Sequence, residues 1–142
     1  MKKHGFSLIE VLIALVIVAI MGTMVALSLG GATDEARVVT TQSNIRTLSN
    51  ALRLYQSQNG MFPTQEQGLE ALVREPTRPP LPPRYQEGGY LDSRNLPLDA
   101  WDRPFVYLIP GRGGEAYEII SYGADGVQGG TGINAEISSA DL

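Results

Sequence analysis

No ionisable side chain stands between Glu10 and Asp34, a gap of 23 residues. Nothing else in the sequence restricts the fold as strongly. Nineteen of the 24 residues from Phe6 to Leu29 are apolar. A helix of that length, at about 1.5 Å per residue, crosses a hydrocarbon layer of about 30 Å. A wholly soluble chain is therefore not expected. The rest is polar by comparison: a membrane-grade segment precedes one modest domain, and 142 residues leave room for no more.

Charge and composition exclude several functions. Both lysines, Lys2 and Lys3, lie among the first five residues; beyond them nine arginines face fifteen acids, a balance of −6. Scattered arginines on an acidic chain do not suit a nucleic-acid partner, which needs clustered cations. With no cysteine there is no disulfide scaffold, thiolate metal site, Cys nucleophile or lipid-modified Cys. The one histidine is His4, so triads and His-ligated zinc lack raw material. No enzyme is expected.

Three readings of the N-terminus compete: a cleaved secretory signal, a plain membrane anchor, and a leader cut before the apolar run. Lys2-Lys3 suits a signal, and Ser28-Leu29-Gly30 supplies a poor cut site after it. Glu10 fits a signal badly, because a bare carboxylate inside an apolar run costs several kcal/mol and usually marks function. The run Lys2-Lys3-His4-Gly5-Phe6-Ser7-Leu8-Ile9-Glu10 resembles the leader junction of type IV pilins and type II secretion pseudopilins. That resemblance implies cutting by a prepilin peptidase between Gly5 and Phe6, methylation of the new Phe6 amino group, and Glu10 as the fifth mature residue. In a bundle of staggered identical helices, Glu10 of one subunit would then neutralise the Phe6 ammonium of its neighbour and set the stagger. The family commonly has Gly and Pro where Ala19 and Leu27 stand here.

Past Gly30-Gly31, Val38, Ile45, Leu48, Leu52 and Tyr55 recur at steps of seven, three, four and three, one face of an amphipathic helix that stops at Gln58-Asn59-Gly60. With the apolar segment this makes about 50 residues of near-continuous helix, about 75–80 Å long. Thr64 and Gln67 have capping-box spacing and open a short helix whose buried side is Leu69, Leu72 and Val73. The prolines of residues 76–83 dictate a stiff surface loop. Phe105–Ile109 and Tyr117–Tyr122 read as strands of a hairpin joined by Pro110-Gly111-Arg112-Gly113-Gly114.

Three further blocks resemble the major pseudopilin of type II secretion: Phe62-Pro63 with Gln67-Gly68-Leu69-Glu70-Ala71-Leu72, then Asp99-Ala100-Trp101-Asp102-Arg103-Pro104, then Tyr122-Gly123-Ala124-Asp125-Gly126 followed by Gly129-Gly130. The second departs from the family's Asp-Pro-Trp-Gly-x-Pro, with Asp102 in place of its Gly; Trp101 is expected as a core anchor. The third resembles the family's calcium loop. By that resemblance Tyr122 gives a backbone oxygen, Asp125 its carboxylate and Asn134 a further oxygen. The second acidic ligand falls at Gly132, which has no side chain, and Thr131 and Glu136 are the nearest replacements. Read from residues alone, one Asp in a Gly-rich loop is a turn residue.

The resemblance implies a pilin-like α+β fold: a leader at residues 1–5, a transmembrane and filament-core helix at 6–29, and a periplasmic domain at 30–142 whose amphipathic helix runs to about 59, packed on a small antiparallel sheet. The implied function is a structural subunit of the type II secretion pseudopilus, polymerising to help drive folded exoproteins through the outer membrane. The subunit would sit in the inner membrane with its domain in the periplasm. Its implied partners are further copies of itself, minor pseudopilins, the prepilin peptidase and the inner-membrane platform. The alternatives are a type IV or competence pilin, a minor pseudopilin, and a signal-anchored periplasmic binding module or enzyme.

Overall fold

The computed structural model describes Gly5 and Ser7–Leu142, with the side chains of residues 22–32 left out. Two compact units divide between Ala36 and Arg37. Helix α1, Leu8–Asn59, runs for 52 residues through that division.

In the first unit α1 is apolar along Leu8–Met21, broken only by Glu10, and every residue there is exposed. The large side chains stand between 49% (Val11) and 81% (Leu8) exposed. Among the described residues no helix is long and apolar enough to cross a membrane. The expected span of 6–29 falls only in part within that description.

In the second unit the amphipathic stripe is realised. Ile45, Leu48, Leu52 and Tyr55 are at most 1% exposed, Ala51 joins them, and Val38 is half-buried. Thr41 and Asn59 lie on the same face and are buried because each is bonded. The Thr41 hydroxyl accepts from the Ala100 N–H at 3.1 Å. Asn59 Nδ2 donates to the Tyr55 carbonyl and the Tyr90 hydroxyl, each at 2.9 Å, and its Oδ1 accepts from the Arg84 N–H at 3.0 Å. The helix ends where expected: Gly60 adopts φ +78° and its N–H donates to the Gln56 carbonyl.

The capping box forms. Gln67 N–H donates to Thr64 Oγ1 at 3.2 Å, and Thr64 N–H donates to Gln67 Oε1 at 3.0 Å. It closes a single turn; Gly68, at φ +61°, then redirects the chain into the 3-10 helix Leu69–Leu72, which buries Leu69, Ala71 and Leu72. Gln67 Nε2 also holds the proline-rich loop, donating to the carbonyls of Arg78 and Pro80 at 2.8 and 2.9 Å.

Three antiparallel strands complete the domain: β1 Val106–Leu108, β2 Glu118–Ser121 and β3 Ile137–Ser138, with β2 central. The two expected strands are present, each shorter by one residue at either end. Val106 pairs with Ile120 and Leu108 with Glu118, while Ile120 pairs with Ser138. All four residues of β2 are buried. Ile119 and Tyr107 belong to the core with the α1 stripe, and Tyr107 donates its hydroxyl to the Pro63 carbonyl at 2.9 Å. Trp101 is half-buried and outside that core, unlike the expected anchor.

Candidate functional site

Two regions carry the residues singled out in the sequence: the start of α1 and the glycine-rich loop after β2. At the first, the Ser7 carbonyl accepts from the N–H groups of Glu10 and Val11 at 3.0 and 3.2 Å. Glu10 thus lies in the first turn of α1. Helix N–H groups without intrahelical partners give that end partial positive charge, so a carboxylate is favoured there within its own chain. Gly5 precedes the helix and is exposed. Phe6, the expected new N-terminus and methylation site, lies outside the described residues, as do residues 1–4 of the expected leader 1–5.

The second region is organised by a buried acid that sequence reasoning left unassigned. Asp99 is 5% exposed. Its Oδ1 accepts from the N–H groups of Trp101 and Arg103 at 3.0 and 2.9 Å, and its Oδ2 accepts from the Ser121 hydroxyl at 2.7 Å. Asp99 therefore caps its own turn and ties it to the end of β2. The turn is fixed to α1 by Thr41 and by Asn44, whose Nδ2 donates to the Leu98 carbonyl at 2.9 Å. Asp102 at its apex has φ +61°, the one positive φ outside glycine among the described residues. It stands where the family form has Gly, and Asp tolerates that conformation better than most side chains.

The expected calcium residues follow β2. Tyr122 is half-buried at the strand end, Asp125 is exposed, and Gly132–Asn134 form a 3-10 turn with Asn134 half-buried. Calcium takes six to eight oxygens, carboxylates among them. Asp125 is the only acid from Tyr122 to Ala135, and its Oδ1 accepts from the Val127 N–H at 3.0 Å. The Ile133 carbonyl accepts from Ala124 N–H at 2.9 Å, and the Gly123 carbonyl from the Arg103 guanidinium at 2.6 Å. Glu136 faces Arg112 at 2.8 Å instead of the loop. No three His, Cys, Asp or Glu residues gather as a metal site among the described residues. This donor set does not fit a resident calcium ion.

A third polar cluster had no assignment. Glu118, 3% exposed on central β2, accepts from the N–H of Arg112 at 2.9 Å and from its guanidinium at 2.8 Å, and from the Ser138 hydroxyl at 2.7 Å. Arg112 bridges onward to Glu136. Hydrogen bonds from Arg112, more than those from Ser138, pull the Glu118 carboxyl from its ordinary 4.5 down to about 2, against the opposing effect of burial. The same bonds push the Arg112 guanidinium up. The available signal was an acid beside Ile119-Ile120 in an expected strand, and an acid is rarely buried without a partner.

Known proteins match along the whole chain. The family described as type II secretion system (T2SS), protein G matches residues 28–140, and the prokaryotic N-terminal methylation motif matches residues 1–26. The type II secretion system core protein G of Vibrio cholerae is 41% identical over 141 residues, covering 99% of this chain and 94% of that protein. The protein of the same description from Pseudomonas aeruginosa is 37% identical over 140 residues, covering 99% and 96%. Among solved structures, the major pseudopilin from the type 2 secretion system of enterohaemorrhagic Escherichia coli superposes with a TM-score of 0.68 at 35% identity, over 80% of this chain and 95% of that one. That likeness agrees with the expected pilin-like α+β architecture. With its methylation motif, its long helix on a small antiparallel sheet and matches of this extent, the chain belongs to the type II secretion system protein G family.

Proposed function

We propose that this protein is a structural subunit, the major pseudopilin, of a type II secretion pseudopilus that helps move folded exoproteins through the outer membrane. The observation that carries this reading is the exposed apolar helix Leu8–Met21. A helix apolar on nearly all sides has no stable life in water and needs cover all round. Lipid supplies that cover before assembly, with the domain in the periplasm, and sister helices supply it in the filament. The prepilin peptidase cuts between Gly5 and Phe6 and methylates Phe6. The charged amino group of Phe6 then meets Glu10 of a neighbouring copy. Minor pseudopilins and the inner-membrane platform are its other partners. The subunit performs no bond chemistry.

The test has two readings. Mass spectrometry of the protein from its native membrane should find a chain starting at N-methylated Phe6; a chain starting near Gly31 overturns the reading. Glu10→Ala should leave the membrane-inserted subunit at wild-type abundance and abolish filaments and secretion. Normal filaments in that variant would refute the pairing.

A further inference from the structure

The loop of residues 122–135 has little apolar surface to bury: Val127 is 62% and Ile133 38% exposed. Polar bonds must hold its shape. Some are internal: Ala124 N–H to Ile133 carbonyl, and Val127 N–H to Asp125 Oδ1. Another joins the loop to the residue just after it, with Glu136 N–H donating to the Gly129 carbonyl at 3.1 Å. A further bond reaches in from the Asp99 turn. The Arg103 guanidinium donates to the Gly123 carbonyl at 2.6 Å and lies over Gly126. A Cβ on Gly126 would meet Arg103 Cζ at 2.9 Å and Nε at 3.0 Å, so glycine is what lets the cation approach the backbone.

Arg103 is itself fixed. Its N–H donates to Asp99 Oδ1, its carbonyl accepts from the Asp99 N–H at 2.9 Å, and Asp99 is anchored to Ser121. A rigid turn therefore holds a permanent positive charge against a loop with one carboxylate. We infer that the Arg103 guanidinium is the resident cation of this loop, doing for residues 122–135 what the family resemblance gives to calcium, so that the loop keeps its fold without metal. Within residues 122–135 Asp125 is the only carboxylate, so the loop itself has no second anion for a divalent ion, and a guanidinium bonded to the Gly123 carbonyl stands there as a like charge. The inference concerns the single subunit and stands or falls apart from filament assembly.

The experiment uses the full chain in mild detergent, with millimolar calcium chloride or with EGTA. Thermal unfolding is followed by the fluorescence of Trp101, and hydrogen exchange is read at the Ala124 and Glu136 amides. The wild-type midpoint and both exchange rates should be the same in the two buffers. Arg103→Met should lower the midpoint and speed exchange at both amides by about tenfold, in calcium and in EGTA alike. A wild-type midpoint several degrees higher in calcium, or amides that calcium protects, overturns the inference. So does an Arg103→Met protein whose loop exchanges as slowly as the wild type. If that variant does not fold, the wild-type comparison of calcium with EGTA decides alone.

Discussion

Helix α1 answers to two different environments in its two stretches. From Leu8 to Met21 its apolar residues point every way and all are exposed. From Thr41 to Asn59 burial falls at steps of four, three, four, three and four, and the remaining faces are polar or exposed. Both stretches are helical, so local propensity does not distinguish them. The distribution of apolar side chains around the axis does: a full coat calls for other molecules, and a stripe calls for the chain's own domain. The same substitution should therefore weigh very differently on domain stability in the two stretches.

The largest effect tests that contrast directly. Leu52 is fully buried, so Leu52→Ala should destabilise the domain by about 2–5 kcal/mol. Leu12 is 52% exposed, and Leu12→Ala should change domain stability by less than about 0.5 kcal/mol. Urea unfolding of the full chain in detergent, read by Trp101 fluorescence, compares them; equal losses would erase the distinction. A smaller effect separates burial by packing from burial by charge. Glu118→Gln should cost about 2 kcal/mol at neutral pH from weakened charge-assisted hydrogen bonds to Arg112, a cost kept moderate because Arg112 is 37% exposed and shares its charge with water. The folded carboxyl lies at about 2, below its ordinary 4.5. Its stabilisation is therefore complete above the ordinary value and is lost as pH falls from there toward 2. The wild type should lose stability across that window, and Glu118→Gln should flatten this part of the curve. The smallest effect is a gain. Asp102→Gly should stabilise by about 0.5 kcal/mol, since glycine removes the strain at φ +61° while adding freedom to the unfolded chain. A loss in thermal unfolding would mean that the Asp102 side chain does more than tolerate its turn.

What the sequence made legible was local. The stripe from Ile45 to Tyr55, the stop at Gly60 and the Thr64–Gln67 box depend on residues within a few positions of one another. Thr41 and Asn59 escaped because polar residues break an apolar pattern, and their partners, Ala100, Arg84 and Tyr90, are far along the chain. Strand β3 escaped because two residues have no periodicity to read. At the candidate sites, Glu10 stood out as a charge in an apolar run. Asp99 did not, because it lies in a segment whose burial only the folded domain creates, and Glu118, although an acid beside Ile119-Ile120, has partners, Arg112 and Ser138, that meet it only in the fold. Arg103 was one more scattered arginine until its turn placed it against Gly123 and Gly126.

The bonds that seat the Asp99 turn on α1 join Asn44 to Leu98 and Thr41 to Ala100, 54 and 59 positions apart. Contacts between such distant positions form late, whereas a helix elongates in nanoseconds per residue from neighbours alone. The apolar half of α1 is bonded along its own helix, whereas the domain is closed by bonds of this long-range kind. Along one helix, then, the demand on the chain changes: Leu8–Met21 asks only for neighbouring residues to form its turns, and the domain asks for partners more than fifty positions away.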